Sequence, residues 1–322
     1  MILVCGEALI DFFVSETPAG GLKTEAVLGG SPFNVAIALA RLGEQASFCG
    51  GLSSDHFGSL LTARLVREHV DLTYSVRSDC LTTLSIVATD SAGHPTYAFH
   101  GEGKADRQVT EADLSAPLRD DIKAITFGSY TLAVTPVSDA YLALARREAS
   151  RRVISLDPNL RPTVTPDMAA WRRRFNDFLA IADIVKASEE DIAIAYGAEA
   201  DIADIAESWL KAGAALVLIT RGPDGAIGFL KSGERVTVPG RSITVVDTVG
   251  AGDTFHAALL ADLGRQGMLH KSKLRDLNTE GLRRTMHYAV AASSITCTRQ
   301  GADLPTHEEV LAVLHMDNVC NV

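Results

Sequence analysis

The chain has 322 residues and a formal net charge of −10, with 40 acidic against 30 basic side chains. This charge argues against a nucleic-acid partner, because nucleic-acid binding usually needs a basic surface. The hydrophobic fraction of 47% is typical of a globular protein with a buried core, and the five scattered cysteines, which include no CxxC pair, favour neither a disulfide framework nor a zinc site.

The N-terminal residues 1–5 form an apolar run that predicts a buried strand. No basic segment precedes this run, and Gly6, Glu7 and Asp11 interrupt the apolar sequence that follows, so it is unlike a secretory signal. The sequence also contains no run of about 18 apolar residues, which argues against a membrane partner. We therefore expect a cytoplasmic protein.

Further along the chain, short apolar runs alternate with segments of helical periodicity. The alternation predicts an α/β fold, with a doubly wound, mainly parallel sheet flanked by helices. No Pro- or Gly-rich linker divides the sequence, so we expect one domain over residues 1–322. The predicted strands are 46–49, 122–127, 153–156, 184–186 and 215–220, and the predicted helices are 31–42, 57–68, 137–151, 170–180 and 203–212.

One segment departs from this alternation. Residues 82–89 and 96–100 are rich in β-formers, and the turn-forming residues 90–95 join them into a predicted hairpin. The runs 12–14 and 25–28 are predicted to pair with it, which gives a small β-sheet lid of about 12–28 and 82–105. Such a lid would exclude water from an active site. The alternative is a surface hairpin or an edge at which a homodimer forms.

The most informative string is DTVGAGDTF at residues 247–255, between a β-rich run at 243–246 and a helical pattern. It predicts a strand, a turn of small residues and a helix start. The backbone N–H groups of a helix start attract an anion, and a carboxylate beside that anion can accept the proton of an attacking hydroxyl. The alternative is an ordinary capped helix, in which Asp253 is only an N-terminal charge.

A second string, GGSPFNVAIALARLG, occupies residues 29–43. Its paired glycines permit the close approach of a ligand, Pro32 suits a first helical turn, and Gly43 suits a helix end. Together the two strings resemble the signatures of the ribokinase-like family of carbohydrate kinases. The resemblance covers nearly the whole chain. It implies ATP-dependent phosphorylation of a sugar hydroxyl, with Asp253 as the base and Gly250, Ala251 and Gly252 at the anion turn.

The same resemblance implies where the sugar and the nucleotide bind. Asp11, Gly30 and Asn34 would hydrogen-bond sugar hydroxyls, although Asn34 could instead cap a helix and Asp11 a strand end. The nucleotide would lie along the turn after the strand at 215–219 and beside the helix at 289–298. The alternative for Thr220 and Arg221 is that this turn is an ordinary one. The implied nucleotide residues are Thr220, Arg221, Gly222, Gly225, Asn278 and Gly301.

Two metal ions are also implied. Many family members hold Mg²⁺ through waters with an N-x-x-E motif, and the matching place here reads KASEED at 186–191. Ser188 and Asp191 would replace the Asn and Glu of that motif. Asp191, Glu190 or Glu189 would then face Mg²⁺, unless this is only a solvated helix start. A potassium ion is a further expectation, near Asp247, Val249 and Gly301.

The sugar itself is indicated by two shorter strings. DPNLR at 157–161 resembles fructokinases and 2-keto-3-deoxygluconate kinases, and implies that Arg161 bridges the transferring phosphoryl group. Ala-Asp-Arg at 105–107 resembles bacterial fructokinases, and implies that Arg107 approaches the sugar from the lid. A structural salt bridge and an exposed loop arginine are the respective alternatives.

We therefore expect a fructokinase that uses ATP and Mg²⁺ to make fructose 6-phosphate. The alternatives are a 2-keto-3-deoxygluconate kinase, another kinase of this family, or a non-catalytic sugar-binding regulator on the same fold. A nicotinamide dehydrogenase is disfavoured because no GxGxxG follows the first strand.

Overall fold

A computed structural model describes residues 1–17, 21–89 and 95–320 of the chain. Residues 90–94 of the predicted lid turn, and residues 18–20 within the first predicted lid segment, lie outside the described residues. The strands, in chain order, are β1 (Ile2–Cys5), β2 (Leu9–Glu16), β3 (Leu22–Gly29), β4 (Ala46–Cys49), β5 (Gly51–Ser53), β6 (Val76–Ser78), β7 (Leu84–Thr89), β8 (Pro95–His100), β9 (Ala124–Gly128), β10 (Val153–Asp157), β11 (Ile184–Ser188), β12 (Leu216–Thr220), β13 (Ala226–Leu230) and β14 (Arg235–Val238).

The described residues contain a main sheet of eight strands in the order β14-β13-β12-β11-β10-β9-β1-β4. The strands from β12 to β4 are parallel, while β13 runs antiparallel to both of its neighbours. Every residue of β1, β9 and β10 is buried, as expected for strands covered on both faces. The predicted mainly parallel sheet is therefore confirmed.

Helices cover both faces of this sheet, each with its own hydrophobic core. The core on one face includes α1, α7 and α9, and the core on the other includes α3, α4 and α6. No helix in the described part of the chain is both long enough and apolar enough to span a bilayer. The helices are α1 (Ser31–Arg41), α2 (His56–Arg67), α3 (Val137–Glu148), α4 (Met168–Leu179), α5 (Glu189–Tyr196), α6 (Ile202–Ala212), α7 (Ala251–Arg265), α8 (Lys271–Arg275), α9 (Thr279–Cys297) and α10 (His307–Cys320).

The predicted lid is a separate four-stranded sheet in the order β3-β2-β7-β8. The run 12–14 lies in β2 and pairs with β7 of the hairpin, in a parallel arrangement. The run 25–28 lies in β3 and pairs with β2, so it is not paired directly with the hairpin as predicted. The base of β2 is buried at Ile10, whereas Phe13 further out is 41% exposed. The lid sheet thus rises from the core into solvent.

The prediction of a strand at 243–246 is wrong. These residues form no strand, and Val245 and Val246 are 57% and 61% exposed. β-propensity reflects packing against neighbouring strands, and the backbone N–H of Val246 donates instead to the carbonyl of Cys297 at the end of α9. An irregular segment therefore leads into the start of α7.

Candidate active site

A cavity of about 930 Å³ opens at the carboxyl edge of the parallel strands, beneath the lid. Ligand sites in folds of this type lie at this edge. One end is lined by polar groups that include Asp11, Asn34 and Ser85, and the other by the turns that follow β12 and precede α7. Asp253 lines the cavity, as do residues from both ends, so the sequence-predicted sugar and nucleotide regions share one cavity.

The turn before α7 has the geometry of an anion site. Gly250 has a φ of 78°, and a Cβ atom there would lie 2.9 Å from Ala302 Cβ, so the position needs glycine. The Ala251 N–H donates to the Thr248 carbonyl, and Ala251 does not line the cavity. The first-turn N–H of Gly252, a residue that lines the cavity, has no intrahelical partner. The anion site therefore offers fewer backbone N–H donors than predicted, because the N–H of Ala251 is already engaged.

The carboxylate of Asp253 is 6% exposed and is held by three donors. The Ser31 hydroxyl donates to Oδ1 at 2.6 Å, the Asn34 amide donates to Oδ2 at 2.9 Å, and the Asn159 amide donates to Oδ1 at 3.4 Å. Burial raises the pKa of Asp253, and the hydrogen bonds from Ser31 and Asn34 oppose that rise. A raised pKa makes a carboxylate a better proton acceptor near neutral pH.

These contacts change the expected role of Asn34. The sequence assigns it to the sugar, but its amide nitrogen is engaged with Asp253, so that its carbonyl oxygen is the group left for a hydroxyl. Sequence reasoning missed Ser31 and Asn159 altogether. Ser31 belongs to the GGSPFN string and Asn159 to DPNLR, so both lie within motifs in which the sequence assigns roles to other members.

A buried ion pair lies next to the anion turn. Lys186 Nζ is 2.9 Å from Asp157 Oδ2, and both side chains are almost fully buried. Burial alone would lower the pKa of Lys186, but Asp157 and then Asp191 outweigh that effect and raise it. A Cβ atom built on Gly252 would lie 3.2 Å from Lys186 Nζ. This permanent ammonium therefore adds positive charge where a phosphoryl group would sit.

The acidic start of α5 is mainly a helix cap. Asp191 accepts from the backbone and hydroxyl of Ser188 through Oδ2, and from the backbone of Leu160 through Oδ1. Glu190 is exposed and also lines the cavity. No cluster of three potential metal ligands occurs among the described residues. Asp191 lines the cavity as well, but both of its carboxylate oxygens are engaged in these hydrogen bonds, and the expected magnesium ion near Asp191 or Glu190 stays a prediction.

The two arginines assigned to the sugar end differ. Arg161 is exposed, lines the cavity and donates to the carbonyl of Leu160 at 2.9 Å, and it forms no ion pair among the described residues. Arg107 does not line the cavity. Its guanidinium carbon lies 5.1 Å from the ring centres of both Phe99 and Tyr130, which do line it. Arg107 therefore supports an aromatic wall instead of reaching the sugar directly.

The nucleotide residues are only partly brought together. Thr220, Arg221 and Gly222 line the cavity. Gly225 closes the turn behind them with a φ of 87°, and a Cβ there would lie 2.1 Å from the Val238 carbonyl. The Asn278 side chain accepts from the backbone of Gly281 at the start of α9, so it is a helix cap away from the cavity.

Asp247 joins two loops that both border α7. Its carboxylate accepts from the N–H of Val249 at 3.0 Å and from the N–H of Gly301 at 2.9 Å. Gly301 itself does not line the cavity, whereas Val249 does. The expected potassium ion near Asp247 and Val249 stays a prediction.

Glu7 is a buried acid at the sugar end that sequence reasoning did not assign. It is 2% exposed, lines the cavity and accepts from the backbone of Ser31 at 3.2 Å. Burial raises its pKa to about 8, against an ordinary 4.5. Between these two pH values the folded protein holds a proton that the unfolded chain has released.

Glu7 should therefore make the protein less stable as the pH rises. The free energy of unfolding should fall by up to about 1.4 kcal/mol per pH unit between pH 4.5 and 8 from this group. Glu7→Gln, which is always neutral, should lack that decline. Urea unfolding of both proteins at pH 5.5 and 7.5 tests this, and the variant should gain up to about 3 kcal/mol relative to wild type between the two. If the difference in unfolding free energy between the two proteins is the same at both pH values, Glu7 is ionised in the folded state.

Comparison with known proteins agrees with this geometry. A family model described as pfkB family carbohydrate kinase matches residues 1–309. A fructokinase of Rhizobium leguminosarum bv. trifolii is 43% identical over 283 residues, which is 88% of this chain and 86% of the relative. Fructokinase-1 of Oryza sativa subsp. japonica is 33% identical, over 98% of this chain and 97% of the relative. The crystal structure of a Xylella fastidiosa fructokinase with bound ATP is 28% identical, covers 98% of both chains and superposes with a TM-score of 0.89.

Proposed function

The chain belongs to the pfkB family of carbohydrate kinases, and we propose that it is a fructokinase that converts fructose and ATP into fructose 6-phosphate and ADP. The observation that carries this proposal is the position of Asp253. Its buried carboxylate lies in one cavity with the sugar-end polar groups and stands beside Gly252 and the Lys186 ammonium.

The arrangement supports an in-line phosphoryl transfer. The 6-hydroxyl oxygen of fructose forms a bond to the γ-phosphorus, the bond from that phosphorus to the bridging oxygen of ADP breaks, and Asp253 takes the hydroxyl proton. Charge on the transferring group would be stabilised by the Gly252 N–H, by Lys186 and by Arg161. Mg²⁺, when bound, would neutralise phosphate charge and orient the phosphates.

At the sugar end, the polar groups suit a neutral polyol. Asp11 lines the cavity, and burial raises its pKa. A hydrogen bond with Ser85 and the charge of Arg161 oppose that rise. Asp11, the Asn34 carbonyl oxygen and the backbone at Gly30 offer hydrogen-bond partners for adjacent hydroxyls. Phe99 and Tyr130 would close the pocket with apolar surface.

A sugar panel tests the function. Purified protein with ATP and Mg²⁺ should release ADP in the presence of fructose much faster than with 2-keto-3-deoxygluconate, ribose or no sugar. The sugar product should be identified as the 6-phosphate by a coupled isomerase assay. Faster turnover of 2-keto-3-deoxygluconate would contradict the fructose assignment. Sugar binding without any ADP release would favour the non-catalytic regulator.

The lid gives a second expected result. If the lid closes over the sugar, saturating fructose should slow hydrogen exchange in β7 and β8, because closure protects backbone amides. Exchange measured with and without fructose, and with ribose as the control sugar, tests this. Unchanged exchange in both strands, with protection at the main cavity, would leave only the alternatives of a surface hairpin and a dimer edge. Leu22, which is 69% exposed on the lid and does not line the cavity, supports a homodimer as a further proposal.

A monovalent cation gives a third expected result. The loops held together by Asp247 border the anion turn, so a potassium ion beside them would add positive field at the phosphates. Activity should therefore be higher in potassium chloride than in tetramethylammonium chloride at the same ionic strength. Equal activity in the two salts would rule the cation out.

We also propose that the enzyme acts in the cytoplasm.

A further inference from the structure

A second, much smaller cavity lies beside Ser31, the residue whose hydroxyl donates to Asp253. It leaves about 10 Å³ for the centre of a water-sized sphere, and its polar lining comes from Ser31, Thr126, Asp157 and His256. The rest of its lining is apolar side chain or glycine. Ser31 lines this cavity and the large one alike. Ser31, whose hydroxyl donates to Asp253, therefore borders both cavities.

Two of the residues that line this cavity each have one buried polar atom with no hydrogen-bond partner among the described residues. These atoms are Asp157 Oδ1 and His256 Nδ1. The other polar atom of each side chain is engaged: Asp157 Oδ2 with Lys186 at 2.9 Å, and His256 Nε2 with Thr126 at 2.8 Å. His256 is 1% exposed and Asp157 is 2% exposed. Buried polar groups in native proteins are almost always paired with protein or with ordered water.

The volume and chemistry of the cavity select its occupant. About one water-sized sphere fits, which excludes any larger ligand. A buried water needs two to four polar partners. A carboxylate oxygen, an imidazole nitrogen and a hydroxyl oxygen provide three.

We propose that one ordered water in this cavity accepts a hydrogen bond from His256 Nδ1 and donates to Asp157 Oδ1 and Ser31 Oγ, and thereby fixes the Ser31 hydroxyl that donates to Asp253. His256, Asp157 and the water are then positioning groups for the base. This inference rests on the proposed function only through the role of Asp253. To the proposed function it adds a chain of contacts that runs from the Asp157–Lys186 ion pair to the carboxylate of Asp253.

The arrangement has a chemical consequence at Asp253. The Ser31 hydroxyl is the shortest of the contacts to its carboxylate, at 2.6 Å. A donor to a carboxylate favours the charged form. If the hydroxyl turns away, the carboxylate loses both its orientation and this stabilisation, so turnover should fall and the acidic limb of the rate profile should move to higher pH.

Two substitutions of His256 separate this role from simple packing. Asparagine places a polar group near the position of Nδ1, and glutamine places one near the position of Nε2. If the water is the relevant partner, His256→Gln should lower kcat by about 10-fold or more, move the acidic limb of kcat to higher pH, and leave KM for ATP within about 3-fold. His256→Asn should keep most of the wild-type kcat, and the acidic limb of its kcat profile should lie at the wild-type pH.

The opposite pattern would overturn the proposal. If His256 only pairs with Thr126, the glutamine variant should resemble wild type and the asparagine variant should be the impaired one. Equal losses in both variants without a shifted limb would also overturn it, because they would indicate packing alone. Thermal melting identifies a variant that does not fold.

A crystal structure of the wild-type protein gives a test that needs no variant. At about 1.8 Å or better, density for one water should lie within hydrogen-bond distance of His256 Nδ1, Asp157 Oδ1 and Ser31 Oγ. A cavity without density would refute the proposal. This result does not depend on which sugar is phosphorylated, so a failure of the fructose assignment and a failure of the water site are separate outcomes.

Discussion

Gly252→Val should lower kcat by about 10²–10³-fold in a protein that still folds. A Cβ atom at this position already lies 3.2 Å from Lys186 Nζ, and the buried bond to Asp157 leaves that ammonium little room to move. The branched valine would crowd both the ammonium and the path of the phosphoryl group. kcat at saturating ATP and fructose, with thermal melting, measures the effect.

Gly252→Ala is the graded control. It adds the single carbon at 3.2 Å without the branch, so its loss of kcat should be clearly smaller than that of valine. The helical position itself accepts alanine at least as well as glycine. Near-normal turnover in a folded Gly252→Val protein would mean that no phosphoryl group passes this turn, and the anion-site assignment would be wrong.

The order of the elements is predictable from the sequence because burial dictates it. Strands such as β9 and β10 are covered on both faces, so they read as short continuous apolar runs between helical patterns. The run at 243–246 has the same β-forming composition but no neighbouring strand. Composition alone cannot show whether a partner strand is available.

The base is predictable for a different reason. Its neighbours in sequence, the glycines and the helix start, create the local geometry that makes it a base. The groups that hold it come from far along the chain, since Ser31 and Asn34 are 222 and 219 residues away. Only the folded sheet edge brings them together.

Lys186 shows what the sequence can indicate about the site, and Arg107 shows what it cannot. A lysine in an otherwise apolar strand is a signal that it needs a buried partner, and Asp157 at the end of the neighbouring strand is that partner. Arg107 is the opposite case. The resemblance assigns it to the sugar, but the rings of Phe99 and Tyr130 lie over its guanidinium, and two aromatic rings from distant elements cannot be anticipated from an Ala-Asp-Arg string.

Asp253→Asn should lower kcat by at least about 10²-fold while fructose still binds. The amide has nearly the size of the carboxylate but cannot take the hydroxyl proton. Phosphoryl transfer relies mostly on positioning and charge stabilisation, so a residual rate should remain from Gly252, Lys186 and Arg161. Affinity for fructose should change much less, because the amide can still contact a hydroxyl.

The fold should tolerate this substitution. Asparagine is as acceptable as aspartate near a helix start, and its carbonyl oxygen can still accept from Asn34, while the Ser31 hydroxyl can turn to accept from the new amide. Asp204→Asn is the matched control, because Asp204 is an exposed aspartate in the first turn of α6 and does not line the cavity.

Three measurements decide the role of Asp253: thermal melting, calorimetric binding of fructose, and kcat at saturating ATP. A folded variant that binds fructose and turns over at the wild-type rate would defeat the assignment of the base. A variant that neither folds nor binds would show that the carboxylate is structural, held by Ser31, Asn34 and Asn159 for the sake of the helix start. A folded variant that binds fructose but has lost at least about 10²-fold in kcat would identify Asp253 as the group that takes the proton.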